Sequence, residues 1–429
     1  MAKCLIIYED HKYEDFYPLT WIRPVFFLRP GIRSIFEKVI NSFGGYAPYL
    51  FCRPEIAQIA AEQTRYPVND FEDKGFDEII FVNGAIRPNL DFFEALKKAG
   101  RNVILQSGED VAAFKMIGTL PEREYTLLKN GDLGGFFDKF RQSAETMDIE
   151  INLYGHLWDL VDSIESEIKD DFEYFRHQND DDGFLISYDN MEKRSRIFPG
   201  VNFLGVENIY IASDASVLPG NVIDASAGPI FVGSKVRIEP HTYLVGPTYI
   251  GRESHLVGGK ITASSIGPVC RVGGELEESI IQGYTNKYHA GFVGHAYLGE
   301  WINLGAMTTN SDLKNNYATV SSYINGQKID TGRLKVGSFI GDFTRTAIGT
   351  LLNTGINIGI CCNLISDGII TDGEIPPFTW YSPRHKMNYS FVKAMETIDR
   401  AMSRRDMKLS DAMRKRLENI SVQALDKQK

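Results

Sequence analysis

The first third of the chain alternates short runs rich in β-branched and aromatic residues with runs that have helical periodicity. The strand-like runs are KCLIIY, PYLFCR, DEIIFVNG and NVILQSG, and the helix-like runs are GIRSIFEKVINSF, PEIAQIAAEQ and DFFEALKKAG. This alternation predicts a mostly parallel sheet covered by helices, an α/β Rossmann-like domain whose ligands bind at the carboxyl ends of the strands. Residues 124–190 are helical in pattern and acidic, and they predict a connector that completes a first domain at 1–190.

From about residue 195 the hydrophobic positions recur every six residues. One lane, meaning a series of positions six residues apart, contains Ile211, Val217 and Ile223. The next lane contains Val232, Ile238, Leu244, Ile250 and Leu256. A later lane contains Ile340, Leu352, Ile358, Leu364 and Ile370, and Thr346 interrupts it. A six-residue period matches neither an α-helix nor a flat strand, and it is typical of a parallel β-helix built from hexapeptide repeats. Each hexad supplies one short strand with an inward aliphatic side chain. We therefore expect a left-handed β-helix over residues 191–383.

After Pro383 the pattern becomes helical again, which predicts a C-terminal helical segment at 384–429. Phe391, Met395, Ile398 and Met402 form an apolar stripe, and we expect it to pack on the solenoid or on a neighbouring subunit. The segment also carries a basic run: Arg404, Arg405, Lys408 and Arg414 to Arg416. We interpret this run as a solvated face, with a contact to a nucleotide phosphate as the alternative.

Composition and charge narrow the class of protein. The 429 residues are 43% hydrophobic and 24% charged, with a formal net charge of -10, which disfavours binding to nucleic acids. The first residues, MAKCLIIYED, lack the pattern of a secretory signal. No hydrophobic run approaches the length of a transmembrane helix, so we expect no membrane partner. The five cysteines lack metal-type spacing, so we expect buried, reduced thiols and a cytoplasmic location.

The solenoid pattern becomes irregular between Asn286 and Met307. The step from Val293 to Leu298 is five residues instead of six, and the stretch holds two of the eight histidines, His289 and His295. Irregular coils are where loops and sites form in solenoids, and a neutral imidazole can accept a proton at neutral pH. Each histidine has a structural alternative. The two lie about a third of an 18-residue coil apart, so we do not expect them to act as a pair on one ligand.

This stretch resembles the acetyltransferase domain of the bifunctional N-acetylglucosamine-1-phosphate uridyltransferases, in which a trimeric hexapeptide β-helix acetylates glucosamine 1-phosphate. The family has a general-base histidine, an aromatic residue three positions later and an asparagine before IGAG; here these positions hold His289, Phe292 and Asn303. The resemblance implies that His289 is the catalytic base, that Asn303 contacts the sugar and that Phe292 replaces a common tyrosine. His295 stands where the family usually has an acidic residue, which implies a structural role.

A nearly full-length resemblance is to the alternative, Bacteroidetes-type branch of bifunctional UDP-N-acetylglucosamine diphosphorylase/glucosamine-1-phosphate N-acetyltransferases, sugar nucleotidyltransferases with a hexapeptide-repeat domain. The stretches that carry it are PLTWIRPVFFLRPGIRSIFEK, FVNG, DASAGPIFVG, LGEWINLGAMTTNSDLKNNY and TGRLKVGSFIGDFTRTAIGTLLNTG. Lys287 is a candidate for neutralising the sugar phosphate, with a solvated lysine as the alternative. We expect Asn315, Asn316 and Tyr317 in a loop that leaves the coil over the sugar. Relatives bind coenzyme A between coils of adjacent subunits, which implies contacts at Gly341, Asp342 and Gly359. The two basic residues that bind phosphate before the histidine in the better-known family have no counterpart, because GELEES is acidic here.

The nucleotidyl-transfer motifs are altered. Relatives carry G-x-G-T-R followed by P-K after the first strand, whereas this chain has no glycine in that loop and has Val25 after Pro24. Arg23, Arg29 and Arg33 are the candidate phosphate clamps, since guanidinium forks match phosphate geometry. Asn83 stands where relatives place a magnesium-binding aspartate, and a neutral amide is a poorer magnesium ligand.

The resemblance implies an enzyme that acetylates glucosamine 1-phosphate with acetyl-CoA and uridylylates the product with UTP and Mg²⁺ to give UDP-N-acetylglucosamine. It also implies a homotrimer, and no residue is assigned as a metal ligand. Two alternatives stay open. The first is a sugar nucleotidyl- or acyltransferase that acts on another sugar or has only one of the two activities. The second is a non-catalytic scaffold that binds nucleotide sugars.

Overall fold

The computed structural model describes residues 2–72, 75–87, 90–100, 102–141, 143–148, 153–176, 196–383 and 385–427. Within these ranges the chain folds into an N-terminal α/β domain, a parallel β-solenoid of about 10 turns and C-terminal helices, as predicted. The expected domain boundary between residues 190 and 191 lies outside the described residues.

The N-terminal domain is built on one six-stranded sheet. Its strands are β1 (Lys3–Tyr8), β2 (Ala47–Phe51), β3 (Glu78–Asn83), β4 (Val103–Ser107), β5 (Asp110–Ile117) and β6 (Glu145–Asp148), in the order β2-β1-β3-β5-β4-β6. The pairs β1–β2, β1–β3 and β4–β6 are parallel, and β5 is antiparallel to β3 and β4. The hydrophobic pattern did not predict β5, because the strand carries Lys115 at a buried position, where its ammonium group pairs with Glu78 at 2.9 Å.

Helices cover both faces of this sheet. They are α1 (Ile35–Ser42), α2 (Pro54–Glu62), α3 (Leu90–Lys98), α4 (Glu122–Lys129), α5 (Leu133–Arg141), α6 (Leu157–Asp162) and α7 (Ile164–Arg176), with 3-10 turns at His11–Phe16 and Val25–Phe27. Alternate residues of β1 enter different cores: Leu5 and Ile7 lie on one side, Cys4 and Ile6 on the other. The predicted connector at 124–190 therefore contributes helices and the edge strand β6 to the domain.

The solenoid has walls made of short parallel strands. One nine-stranded wall contains Ile209–Ile211, Ile230–Val232, Thr248–Ile250, Ser265–Ile266, Ile280–Gly283, Tyr297–Glu300, Phe339–Ile340, Asn357–Ile358 and Glu374–Ile375. A second contains Asn202–Leu204, Ser216–Val217, Val222–Asp224, Arg237–Ile238, Thr242–Val245, His255–Thr262, Arg271–Glu277, Asn286–Lys287 and Phe292–Gly294. The upper coils add Thr309–Asn310, Leu351–Leu352 and Ile369–Ile370, and also Arg345–Thr346, Asn363–Leu364, Thr379–Tyr381 and Lys386–Asn388. A 3-10 turn at Val206–Asn208 and an antiparallel hairpin of Ser321–Ile324 and Gln327–Asp330 complete the solenoid segment.

The six-residue lanes form the solenoid core, as predicted. All of the aliphatic lane positions named above belong to one continuous buried cluster. The coils stack so closely that small residues are required at some contacts. A Cβ added at Gly337, for example, would lie 1.9 Å from the carbonyl oxygen of Gly294.

The N-terminal domain packs directly on the solenoid. A shared buried cluster joins Leu28 and Ile32 to Tyr297 and Phe339. The Tyr297 hydroxyl accepts a hydrogen bond from the backbone N–H of Arg29 at 2.8 Å. Because these contacts are buried, one of the two cores of the N-terminal domain extends onto an outer face of the solenoid.

Two C-terminal helices, α8 (Phe391–Ser403) and α9 (Asp411–Lys427), close the chain. The predicted stripe on α8 is confirmed, since Met395, Ile398 and Met402 are buried in a cluster that includes Trp301 and Phe378 of the solenoid. All five cysteines are buried, and none of them forms a disulfide. Among the described residues, no helix combines the length and the apolar character needed to cross a bilayer.

Candidate functional site

His289 lies at an exposed turn of the irregular coil. The strand Asn286–Lys287 ends just before it, and the Tyr288 ring lies 5.1 Å from the imidazole between centroids. Phe292 begins the next strand and is half-buried. Its ring lies over Gly294, where an added Cβ would approach the ring to 2.4 Å. The coil therefore presents an accessible imidazole next to an aromatic surface.

His295 has a different environment, because two carboxylates hold its ring. Nδ1 lies 2.8 Å from Asp312 Oδ2 and Nε2 lies 3.1 Å from Glu278 Oε2, and the side chain is 6% exposed. Burial opposes a charged ring, but the hydrogen bonds and charges of Asp312 and Glu278 outweigh it and raise the pKa of His295 to about 9. At neutral pH the ring is a protonated cation, so it cannot serve as a general base.

Asn303 lies on an outward-facing ladder of residues along the second wall. Arg271 pairs with Asn286, Asn286 with Asn303, and Asn303 with Arg345 on successive coils. Asn286, Asn303 and Arg345 line a cleft of about 310 Å³ beside the end of α8, and Arg404 and Arg405 line it from the other side. The sequence pattern missed Arg345, because the hairpin insertion separates it from Asn303 along the chain.

Lys287, the predicted sugar-phosphate contact, points into the solenoid and is 2% exposed. Its ammonium group donates to the carbonyl oxygens of Gly273 at 2.6 Å and Gly291 at 2.7 Å. Burial lowers its pKa to about 8, against an opposing effect of Glu275. The structure thus gives Lys287 a structural contact with the turn that carries His289.

The predicted sugar loop of Asn315, Asn316 and Tyr317 is exposed, with the Tyr317 side chain at 72%. Its hydrogen bonds are local: the backbone N–H of Tyr317 donates to Lys314, and the Asn316 side chain accepts from Ala318. The hairpin that follows turns toward the N-terminal domain, where Asn325 donates to Glu14 at 3.0 Å. In the described residues the loop makes no hydrogen bond to His289, so its contact with a sugar stays a prediction.

Three predicted coenzyme A contacts lie inside the subunit. A Cβ added at Gly341 would come within 2.7 Å of the backbone nitrogen of Ile360, and one added at Gly359 within 2.4 Å of the nitrogen of Pro377. Both glycines therefore allow neighbouring coils to stack closely. Asp342 is fully buried and binds both Nη atoms of Arg23, one of them at 3.0 Å. The geometry therefore pairs a predicted coenzyme A residue with a predicted nucleotide clamp.

The predicted clamps Arg23, Arg29 and Arg33 lie at interfaces. Arg23 is 3% exposed and also lies 3.4 Å from Glu300. Arg29 donates to the Ile32 carbonyl oxygen, and its guanidinium lies 5.7 Å from the Tyr249 ring. Arg33 Nε binds Asp171 at 2.8 Å, and its guanidinium lies 3.8 Å from the Tyr174 ring. Arg23 and Arg33 are thus paired with carboxylates of the protein, whereas the buried Nε of Arg29 has no hydrogen-bond partner among the described residues.

The cleft at the carboxyl ends of the N-terminal strands contains Asn83 but none of the three arginines. It has a volume of about 120 Å³ and is lined at one side by Tyr8, Asp10, Asn83 and Asp110. Asn83 donates to Asp10 at 2.8 Å and accepts from the backbone N–H of Ala85 at 2.8 Å. The position that the strand pattern predicts for a ligand is therefore a small, mainly acidic cleft.

The expected Mg²⁺ has no ready-made ligand set in this cleft. No group of three or more histidine, cysteine, aspartate or glutamate side chains is arranged for a metal among the described residues. Asn83 turns its amide nitrogen toward Asp10, and the ammonium group of Lys12 pairs with Asp110 at 2.6 Å. These donors do not fit a preformed site, so magnesium use stays a prediction.

Comparisons with known proteins agree with this two-part organisation. The family model for sugar nucleotidyl transferases matches residues 5–180. A bifunctional sugar-1-phosphate nucleotidylyltransferase/acetyltransferase of Sulfurisphaera tokodaii is 30% identical over 96 residues, 22% of this chain and 24% of that protein. Bifunctional GlmU proteins of Methanococcus vannielii and Acaryochloris marina are each 29% identical, over 34% and 41% of this chain and 30% of either relative.

The chain spans about a quarter to a third of the length of these curated relatives. The matched family domain includes β1 to β6 and all the helices packed on them. The solenoid that follows has the hexapeptide architecture predicted from the sequence. Residues 5–180 thus match the model of the sugar nucleotidyl transferase family, and the chain is similar to bifunctional sugar-1-phosphate nucleotidyltransferase/acetyltransferase enzymes of the GlmU type.

Proposed function

We propose that the protein acetylates glucosamine 1-phosphate with acetyl-CoA and then transfers a uridylyl group from UTP to the product, giving UDP-N-acetylglucosamine. The observation that carries the proposal is the joining, in one chain, of a sugar nucleotidyl transferase domain and a solenoid coil that exposes His289. His295, the other histidine of that coil, is bound on both sides by carboxylates. This leaves His289 as the imidazole available for proton transfer.

In the acetyl-transfer half, the sugar amine attacks the thioester carbonyl carbon of acetyl-CoA. The new C–N bond replaces the C–S bond. His289 accepts a proton from the attacking amine and returns it to the departing sulfur, so that coenzyme A leaves as the thiol. Asn303 contacts the sugar from the next coil, and Phe292, three residues after His289, provides an apolar surface of the site. The contribution expected from such a base is about 10²- to 10⁴-fold in rate.

In the nucleotidyl half, a phosphate oxygen of N-acetylglucosamine 1-phosphate attacks the α-phosphorus of UTP, and pyrophosphate leaves. The cleft at the ends of β1 and β3 is the proposed place, because ligands of such sheets bind at the carboxyl ends of strands. Asn83 lies at its base. The arginine clamps take no part in this step, since Arg23, Arg29 and Arg33 are engaged elsewhere.

That engagement supports a second candidate function, an acetyltransferase whose N-terminal domain has no nucleotidyl activity. The two candidates differ only in pyrophosphate release from UTP. Pyrophosphate release that depends on N-acetylglucosamine 1-phosphate supports the bifunctional enzyme, and its absence at saturating substrates leaves the single activity.

The acetyl half is tested by His289→Ala. We expect thiol release from acetyl-CoA with glucosamine 1-phosphate to fall about 100-fold or more, with unchanged thermal unfolding. His241→Ala is the matched control, because His241 is another exposed solenoid histidine and should keep full activity. Full activity in the His289 variant would refute its role as the base.

A further inference from the structure

The cleft between the solenoid and α8 has a strongly basic lining. Arg345 reaches it from the wall, and Arg404 and Arg405 reach it from the residues that follow α8. The amides of Asn286 and Asn303 lie on the same wall and form its floor. Among the residues that the structure describes, no aspartate or glutamate lines the cleft.

These arginines lack the acidic partners that most others in the protein have. In the described part of the chain, Arg345, Arg404 and Arg405 form no salt bridge, and neither does Arg271 one coil below Asn286. Arg345 donates to the carbonyl oxygen of Phe343 at 3.0 Å, and Arg405 lies 3.4 Å from the side-chain oxygen of Asn286. In a chain with a net charge of -10, this concentration of unpaired positive charge indicates an anionic ligand.

Burial raises the electrostatic cost of these unpaired charges. It lowers the pKa of Arg345, and burial together with the neighbouring Arg405 lowers the pKa of Arg271. Both directions mean that the surroundings disfavour the cations in the absence of an anion. A bound anion would relieve this electrostatic cost.

We propose that this cleft binds the phosphate group of a phosphorylated substrate. Guanidinium forks and side-chain amides match phosphate oxygens and sugar hydroxyls, and a volume of about 310 Å³ suits a small ligand. Asn286 and His289 are three residues apart, so their Cα atoms are separated by at most about 11 Å. A sugar phosphate held here can therefore reach the exposed imidazole.

The proposal deepens the acetyl-transfer half of the proposed function, and it rests on that function only for the identity of the sugar. It supplies the phosphate contact that the acidic GELEES segment cannot provide and that the buried Lys287 does not offer to solvent. The basic residues come from the C-terminal segment instead. Coenzyme A carries phosphate groups too, so it is the second possible source of the same chemistry.

The test is calorimetric titration of the full-length protein at low salt with glucosamine 1-phosphate, coenzyme A and inorganic phosphate. The variants are Arg404→Gln/Arg405→Gln and, from the wall, Arg345→Gln. The matched control is Lys408→Gln, which removes a positive charge from an exposed position outside the cleft. We expect affinity for glucosamine 1-phosphate to fall on the order of tenfold or more in both cleft variants and to be unchanged in the control.

Loss confined to coenzyme A would also support the phosphate site and would identify its ligand. Unchanged affinity for all three probes in both cleft variants would overturn the proposal. So would a change in oligomeric mass without a change in binding, because the cleft would then hold an acidic segment of a second copy. Titration of His289→Ala separates this proposal from the proposed function: retained sugar-phosphate binding supports the cleft whether or not acetyl transfer is lost.

Discussion

His289 and His295 are six residues apart in one coil, yet their surroundings give them opposite properties. His289 is on an exposed turn, whereas His295 lies in the cradle formed by Asp312 and Glu278. The resemblance to known sequences assigned His295 a structural role, and the ion pairs supply a physical reason for it. Sequence spacing alone could not reveal the cradle, because Glu278 and Asp312 come from neighbouring coils.

The raised pKa of His295 makes a pH-dependent contribution to stability. Its folded pKa of about 9 lies above its ordinary value of 6.5, so the contribution is complete below about 6.5 and is lost as the pH rises through 9. We expect the difference in unfolding free energy between wild type and His295→Gln to be largest near pH 6 and to shrink by pH 10. Denaturant unfolding across this range measures it; a constant difference would contradict the ion-pair account.

At the scale of elements, the contacts between domains give Arg23, a predicted phosphate clamp, carboxylate partners within the protein. The PLTWIRP segment lies against the solenoid, and Arg23 is buried there between Asp342 and Glu300. The alternating pattern predicted most strands of the N-terminal sheet, and the six-residue period predicted the solenoid core. Neither pattern carries information on which faces of the two domains meet, so the partner of Arg23 could not be predicted.

Removing Arg23 leaves the fully buried Asp342 without its cation. We expect Arg23→Ala to lower the free energy of unfolding by about 3–5 kcal/mol, the usual cost of breaking a buried ion pair. Arg252→Ala, which removes an exposed pair with Glu253 at 2.8 Å, should cost less than about 1 kcal/mol. Thermal and denaturant unfolding compare the two, and similar small losses would show that the buried pair contributes little.

At the scale of the whole molecule, the sequence predicted the order of the three parts, but it did not place the C-terminal arginines. The sequence predicts that Arg404 and Arg405 lie on a solvated face. The packing of α8 on the solenoid brings them close to Asn303 and Arg345. Their role depends on contacts between segments about 60 to 100 residues apart. Short-range periodicity cannot encode such a contact.

Assembly is a further prediction at this scale. We propose a homotrimer in the cytoplasm, as the resemblance to trimeric hexapeptide acetyltransferases implies. Light scattering of the purified protein should give three times the chain mass of 48.3 kDa. A monomer at micromolar concentration would mean that any acetyl-transfer site is complete within one subunit.

The most direct test of the central claim is a mass-spectrometric product readout with glucosamine 1-phosphate, acetyl-CoA, UTP and Mg²⁺. The two-activity account predicts UDP-N-acetylglucosamine from the wild-type protein. With His289→Ala, this product should form only when N-acetylglucosamine 1-phosphate is supplied in place of glucosamine 1-phosphate. Failure of the wild-type protein to form UDP-N-acetylglucosamine from either sugar phosphate would contradict the account.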